Sequence, residues 1–361
     1  MTLRYGIIGA GMMGREHIRN LAALHGVDGV AIDVVAVADP DEGSRARTRR
    51  ACGDHFSPEI VADASDVLAR DDVDAVVVAT PNHTHAAVMA QVFETDKHVM
   101  IEKPLATTLA DAREIHVRAE AHAGVVWMGL EYRYMAPVAA LLARLDAVGT
   151  VRMCAIREHR FPFLKKVGNW NRFSENTGGT LVEKCCHFFD LMNLVTRSEP
   201  VRVFASGAQD VNHLDERYDG RVPDILDNAY VVVDYASGAR ASLDLCMFAE
   251  GSRDEQQLVV TGDVGRLETT VPGDALYLSR RAQNAHERIV VPRDARVREE
   301  GLHHGSSYLE HLGFRDAITR GTAAAVTTRD GLRSVALGLA AHASIERGEV
   351  VRLDESLEVV P

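Results

Sequence analysis

Apolar residues fall along the chain in two textures. Up to about residue 150, short runs that are apolar throughout, at 5–8, 34–38, 75–79, 98–101 and 125–129, alternate with segments of helical spacing such as Ile18, Leu21 and Ala22. Strands buried on both faces between helix layers read in this way, so the pattern predicts a parallel, doubly wound sheet. From residue 151 the strands lengthen and alternate in polarity, with 229–235 and 239–248 joined by the short turn Ser237-Gly238, which predicts an antiparallel sheet. Helical spacing returns at 306–319 and 329–345.

The first apolar run ends in Gly9-Ala10-Gly11-Met12-Met13-Gly14, and a helical segment follows at once. Glycines at this spacing make a tight turn and let the amides at a helix N-terminus approach a pyrophosphate. The strand–loop–helix context makes 1–130 an expected α/β Rossmann domain, with 131–361 an α+β domain built on an open, mainly antiparallel sheet. The second strand ends in Asp39, where a carboxylate can accept hydrogen bonds from ribose hydroxyls and repel a 2′-phosphate. NAD is therefore expected over NADP, against the counter-signal of Arg45, Arg47, Arg49 and Arg50 nearby.

Composition narrows the partners. Forty basic against fifty-two acidic residues leave a formal charge of -12, which argues against wrapping nucleic acid. No apolar run has the length of a membrane span, and the chain opens directly into a strand with no visible signal peptide. Five cysteines without a CxxC pair fit a reducing compartment, so the cytoplasm is the expected location. Cys185, Cys186 and His187 are neighbours that point in different directions, so they are expected to be core residues and no metal site is expected.

Lysine is scarce, with only Lys97, Lys103, Lys165, Lys166 and Lys184. One of them, in Glu102-Lys103-Pro104, falls at the carboxyl end of a parallel strand, where open α/β sheets hold their ligands. Further on, Gly178-Gly179 begins a segment expected to be one helix, on which Glu183, His187 and Asp190 share a face.

Together the glycine loop continuing to His17, Thr80-Pro81-Asn82 with His85, Glu102-Lys103-Pro104 and the Gly178-Gly179…Glu183…His187…Asp190 helix resemble the Gfo/Idh/MocA oxidoreductase family, from Arg4 to about Leu353. The resemblance implies that Gly9, Gly11, Met12, Met13, Gly14, Asp39, Thr80, Pro81, Asn82, His85, Glu102 and Lys103 bind the cofactor. It implies Lys103 and His187 as the catalytic pair, a cis bond between Lys103 and Pro104, and dimers or tetramers formed through the open sheet. Two positions depart from the pattern: Glu183 stands where an Asp is usual, and Glu131 where similar sequences often carry Asn. The implied chemistry is sound, because oxidising a secondary alcohol needs a proton acceptor and a group that polarises the same oxygen while hydride leaves for nicotinamide. His187 is the expected base, Lys103 the polarising cation, and Glu183 a third catalytic candidate.

The expected substrate is a secondary hydroxyl of a pyranose sugar, sugar acid or cyclitol. Besides Lys103, Glu183 and His187, its expected contacts are Tyr132, Arg133 and Tyr134, with Arg160, Lys165, Lys166, Trp170 and Arg172 in a loop whose cations suit an anionic substituent. The same residues allow a redox-neutral NAD-dependent glycoside hydrolase acting through a transient 3-keto sugar, for example on sulfoquinovosides. A non-catalytic NAD-binding regulator is a third reading, which an intact Lys103 and His187 count against. His303 and His304, flanked by Gly301 and Gly305, are further candidates for the pocket border.

Overall fold

The computed structural model describes residues 1–360. In chain order the elements that matter are β1 (Thr2–Ile8), α1 (Met12–Leu24), β2 (Ala31–Ala38), α2 (Glu42–Cys52), β3 (Glu59–Val61), α3 (Ala64–Leu68), β4 (Ala75–Val78), α4 (His85–Val92), β5 (His98–Glu102), α5 (Leu109–Ala121) and β6 (Val126–Gly129). Then come α6 (Ala136–Leu142), β7 (Val151–His159), α7 (Ser174–Thr177), α8 (Thr180–Glu183), α9 (Cys186–Thr196), β8 (Pro200–Ala208), β9 (Asn228–Tyr235) and β10 (Arg240–Cys246). The chain closes with β11 (Gln256–Gly262), β12 (Gly265–Val271), β13 (Ala275–Arg280), β14 (Ala285–Val290), α10 (Ser306–Arg320), α11 (Thr328–Arg347), β15 (Val351–Leu353) and β16 (Val359–Val360).

Two compact units form. The first comprises Met1–Glu131, Lys166–Trp170 and Arg296–Leu332, and the second Tyr132–Lys165, Asn171–Ala295 and Arg333–Pro361. A single cut after residue 130 therefore misses two returns of the chain to the first unit, of which the later brings α10 onto α1.

In the first unit six parallel strands run in the order β3-β2-β1-β4-β5-β6. All of Ala75–Val78 and most of β1 and β5 are buried, as both faces of a helix-covered sheet must be. The strand order reverses between β1 and β4, and at such a switch point the carboxyl ends of the strands border a crevice.

The second unit is built on ten strands in the order β14-β13-β12-β11-β7-β10-β9-β8-β15-β16. Every described neighbour pair is antiparallel except β7 with β10, which run parallel, so the sheet is mixed and mainly antiparallel. Along β9 the buried Ala229, Val231 and Val233 alternate with exposed Tyr230 and Val232, so one face carries the core against α9 and the other is open. Among the described residues no helix is long and apolar enough to cross a membrane.

Candidate functional site

At the end of β1, Gly9 adopts φ +95°, and a Cβ there would stand 2.6 Å from the Ala79 backbone. A Cβ on Gly14 would stand 1.9 Å from the Gly9 carbonyl oxygen, so helix and strand approach too closely for any side chain. Nothing lies within 4 Å of a Cβ placed on Gly11, which leaves the start of α1 at Met12 and Met13 open to an anion. Asp39 follows β2 with its carboxylate oriented by two amides: Oδ2 accepts from Ala10 N–H at 2.7 Å and Oδ1 from Asp41 N–H at 2.8 Å. Each oxygen keeps lone-pair capacity for a hydroxyl donor. Arg45 donates to the Asp39 and Pro40 carbonyls, and Arg47 to Asp41 and Ser44, so these two guanidinium groups are engaged at the start of α2. This cradle fits a dinucleotide.

After β4, Thr80, Pro81 and Asn82 form a turn, and His85 ties it to the next strand end, with ring nitrogens 2.8 Å from the Pro104 carbonyl oxygen and 3.1 Å from that of Thr80. Lys103 follows β5 directly, and its bond to Pro104 is cis. Glu102 lies behind it in a buried chain. His17 Nε2 donates to Glu102 at 2.9 Å, His17 Nδ1 meets His311 Nε2 at 2.8 Å, and the other Glu102 oxygen accepts the Lys103 amide at 3.1 Å. Burial alone would raise the Glu102 pKa, but the His17 hydrogen bond and the Lys103 charge outweigh it and bring the carboxyl to about 2.

A second buried group adjoins the same strand ends. His303 Nδ1 lies 3.3 Å from Glu16 and its Nε2 3.7 Å from Glu131. Burial works against the His303 imidazolium, yet Glu131 and Glu16 hold its pKa above the ordinary value. Burial raises the carboxyl of Glu131, and raises Glu310 well above the usual carboxylate range, although Glu310 accepts from the Trp127 indole. The loop histidine His303 is thus an internal partner of two carboxylates.

In the second unit Glu183 ends α8 and His187 opens α9, both buried. The expected single helix is two: the chain turns at Lys184 and Cys185, where Lys184 reaches Glu158 at 2.8 Å and the Tyr132 hydroxyl at 2.8 Å. The His187 imidazole lies flat on the Tyr132 ring, centroids 3.9 Å apart and planes 5° from parallel. Asp190 does not join a carboxylate stripe with Glu183, because Arg133 binds it side-on, donating from Nε and Nη2 to its two oxygens. Cys185 and Cys186 are buried and form no disulfide, in keeping with core positions.

Several expected substrate contacts are engaged within the protein. Tyr132 is held by Lys184, Arg133 by Asp190, and Arg172, 2% exposed, by Glu216 and the Phe163 carbonyl. Tyr132 and Arg172 are buried and Arg133 is half-buried, and these partners fix the orientation of all three side chains. Arg160 stacks on Phe161 and pairs with Glu158, Lys165 is exposed, and Tyr134 is half-buried. Trp170 takes the Lys166 ammonium at 4.5 Å over its face and the His83 ring at its edge. Lys103 belongs to the first unit and Glu183 and His187 to the second.

The sequence matches the oxidoreductase family's NAD-binding Rossmann fold over residues 3–130 and that family's C-terminal alpha/beta domain over residues 145–353. Among similar proteins, inositol 2-dehydrogenase 1 of Saccharopolyspora erythraea is 30% identical over 98% of this chain and 97% of its own. Myo-inositol 2-dehydrogenase of Thermotoga maritima is 26% identical over 98% of this chain and 99% of its own. The solved levoglucosan dehydrogenase in complex with NADH superposes with a TM-score of 0.85 over 98% of this chain and all of that one; at 20% identity it speaks for the fold alone.

Proposed function

Because the chain belongs to the Gfo/Idh/MocA oxidoreductase family, we propose that it is an NAD-dependent dehydrogenase that oxidises a secondary hydroxyl of a cyclitol or pyranose. The observation that carries this reading is full-length similarity to inositol 2-dehydrogenases in a chain that keeps both Lys103 and His187. The glycine cradle and Asp39 hold the dinucleotide, which when bound supplies the hydride acceptor. Lys103, backed by ionised Glu102, stabilises negative charge on the substrate oxygen, and His187 accepts the hydroxyl proton. Glu183 and Tyr134 complete the contacts to the ring, and Arg160, Lys165 and Lys166 suit an anionic substituent. Glycoside cleavage is not favoured by these relatives. We also assign a homodimer or homotetramer formed through the open sheet face, where Phe204, Tyr230 and Val232 are exposed, and a cytoplasmic location in keeping with five cysteines that form no disulfide.

The test is NADH formation, followed by absorbance, across inositols, pyranoses and sugar acids, with products identified by mass spectrometry. The expected result is NADH with at least one cyclitol or pyranose, and a loss of about 100-fold or more in turnover in Lys103→Met with NAD affinity retained. Cleaved glycosides without NADH, or full turnover in Lys103→Met, would overturn the assignment.

A further inference from the structure

The proposed reaction leaves unused a buried ion pair in the second unit, Glu158 with Lys184. Glu158 is fully buried on β7, Lys184 is 5% exposed in the turn between α8 and α9, and Arg160 approaches Glu158 at 3.4 Å. Lys184 is one of only five lysines, and an ammonium with its carboxylate inside a protein core is costly to desolvate. A pair of apolar side chains would fill the same space without that penalty, so the placement of the charges asks for a reason.

That reason lies one contact away. Lys184 Nζ donates to the Tyr132 hydroxyl at 2.8 Å and stands 5.2 Å from the centre of the Tyr132 ring, on whose face the His187 imidazole is stacked at 3.9 Å. The ammonium therefore lies no more than about 9 Å from the imidazole, inside the range over which a unit charge acts in a low-dielectric interior. We propose that the Glu158–Lys184 pair, joined to His187 through the Tyr132 ring, positions the imidazole and sets its proton affinity, so that Lys184 and Tyr132 are positioning residues for the base. The inference rests on the reading of His187 as proton acceptor.

Supporting features point the same way. Burial opposes the Lys184 ammonium, but Glu158 and the Tyr132 oxygen outweigh it and hold its pKa above the ordinary value, so the cation persists at neutral pH. Burial raises the Tyr132 phenol, which stays neutral beneath the imidazole. Other titratable groups on the neighbouring elements of this unit include Glu183 on α8, Cys186 and Asp190 on α9, the latter bound to Arg133, Arg160 with Glu158, and His342 of α11, which accepts the Leu181 amide. Lys184 is the cation of this set that bonds the very ring on which His187 rests.

The two members of the pair must then act on His187 with opposite sign. In Lys184→Met a nearby positive charge is lost and Glu158 is left less compensated, so the imidazole gains proton affinity and its titration moves to higher pH. In Glu158→Gln the ammonium remains without its counter-charge, and the titration moves to lower pH. Each shift is on the order of one pH unit for a charge at this distance. The experiment is histidine-labelled NMR of the NAD-bound protein, with the His187 signal assigned by its loss in His187→Gln, beside the pH dependence of kcat/KM on a substrate that is turned over. Tyr132→Phe keeps the stack and should retain most of the turnover, while Tyr132→Leu should lose it. If Lys184→Met does not fold, the double variant with Glu158→Gln removes both charges and should titrate close to the parent. Shifts in the same direction, or none beyond about 0.2 unit, would overturn the proposal. Opposite NMR shifts with an unmoved rate profile would uphold it and instead remove His187 as the base.

Discussion

Replacing Asp39 probes the cofactor reading most directly, because its carboxylate stands at the junction of two structural tasks. One oxygen accepts the Ala10 amide inside the glycine loop and the other the Asp41 amide at the start of α2, and each keeps lone-pair capacity that ribose hydroxyls would use. Asp39→Ala deletes the charge-assisted ribose bonds and leaves the Ala10 N–H without its acceptor. Bonds of this kind contribute about 1.5–3 kcal/mol, so NAD should bind roughly 10- to 150-fold more weakly. Asp39→Asn is the sharper case: one amide oxygen can serve one of the two N–H groups, and its NH2 then faces the other donor. That variant should lose NAD affinity by a comparable factor despite its nearly unchanged shape. Loss of the negative charge also removes the repulsion of a 2′-phosphate, so the ratio of NAD to NADP affinity should fall in both variants. Calorimetric titration with each dinucleotide at one ionic strength reads these quantities. NAD affinity within twofold of the parent in both variants, or a parent that prefers NADP, would refute the reasoning.

Two further outcomes follow from other parts of the molecule. Glu310 is buried with its pKa raised well above an unfolded glutamate, so the folded state holds a proton that the unfolded chain releases, and stability declines as pH rises from the unfolded pKa through the folded one; Glu310→Gln should gain on the order of 1–3 kcal/mol over the parent at pH 8 and little at pH 4, measured by denaturant unfolding. The open sheet face should bring copies together, so sedimentation at micromolar concentration should show a dimer or tetramer, and Tyr230→Asp should shift it toward monomer; a parent that is monomeric throughout would exclude that interface.

What the sequence made legible follows the range of the interactions. The strands β1, β2, β4, β5 and β6 announce themselves as unbroken apolar runs, and the hairpin of β9 and β10 by alternation around Ser237-Gly238. The edge strand β3, three half-buried residues, carries no such pattern. Nothing local distinguishes a parallel from an antiparallel partner for β7, or sends 296–332 back to the first unit. The break at Lys184 and Cys185 escaped because the partner that Lys184 meets there, Glu158, is twenty-six positions away and reads as an ordinary strand residue. The glycine loop, Asp39 and Lys103 were readable because each owes its place to a strand end. The partners of Glu102 and Glu131 were not, since His311 joins His17 across a separation of 294 residues and His303, expected at a pocket border, reaches Glu131 from a distant loop. The rarity of lysine was the one available hint that Lys184 is not a surface charge.

Four buried glutamates of the first unit bear on why the proposed proton acceptor is an imidazole and not Lys103. Carboxylates crowded in a poorly solvated region cannot all ionise, and their surroundings push the pKa values apart. Glu16 and Glu102 are lowered, each against the opposing effect of burial, by a histidine that hydrogen-bonds to them, whereas Glu131 and Glu310 are raised by burial and by the charges of their neighbours. Negative charge in this part of the molecule is thus concentrated on groups with a fixed partner, and one of them, Glu102, precedes Lys103 in the chain and acts on its ammonium. A lysine beside a firmly ionised carboxylate is in the setting of a positioned cation. An amine base would need the opposite arrangement, a desolvated site or a second positive charge that expels its proton. In the proposed mechanism charge stabilisation at the substrate oxygen is therefore assigned to Lys103 and proton transfer to His187, whose ring rests on a neutral phenol.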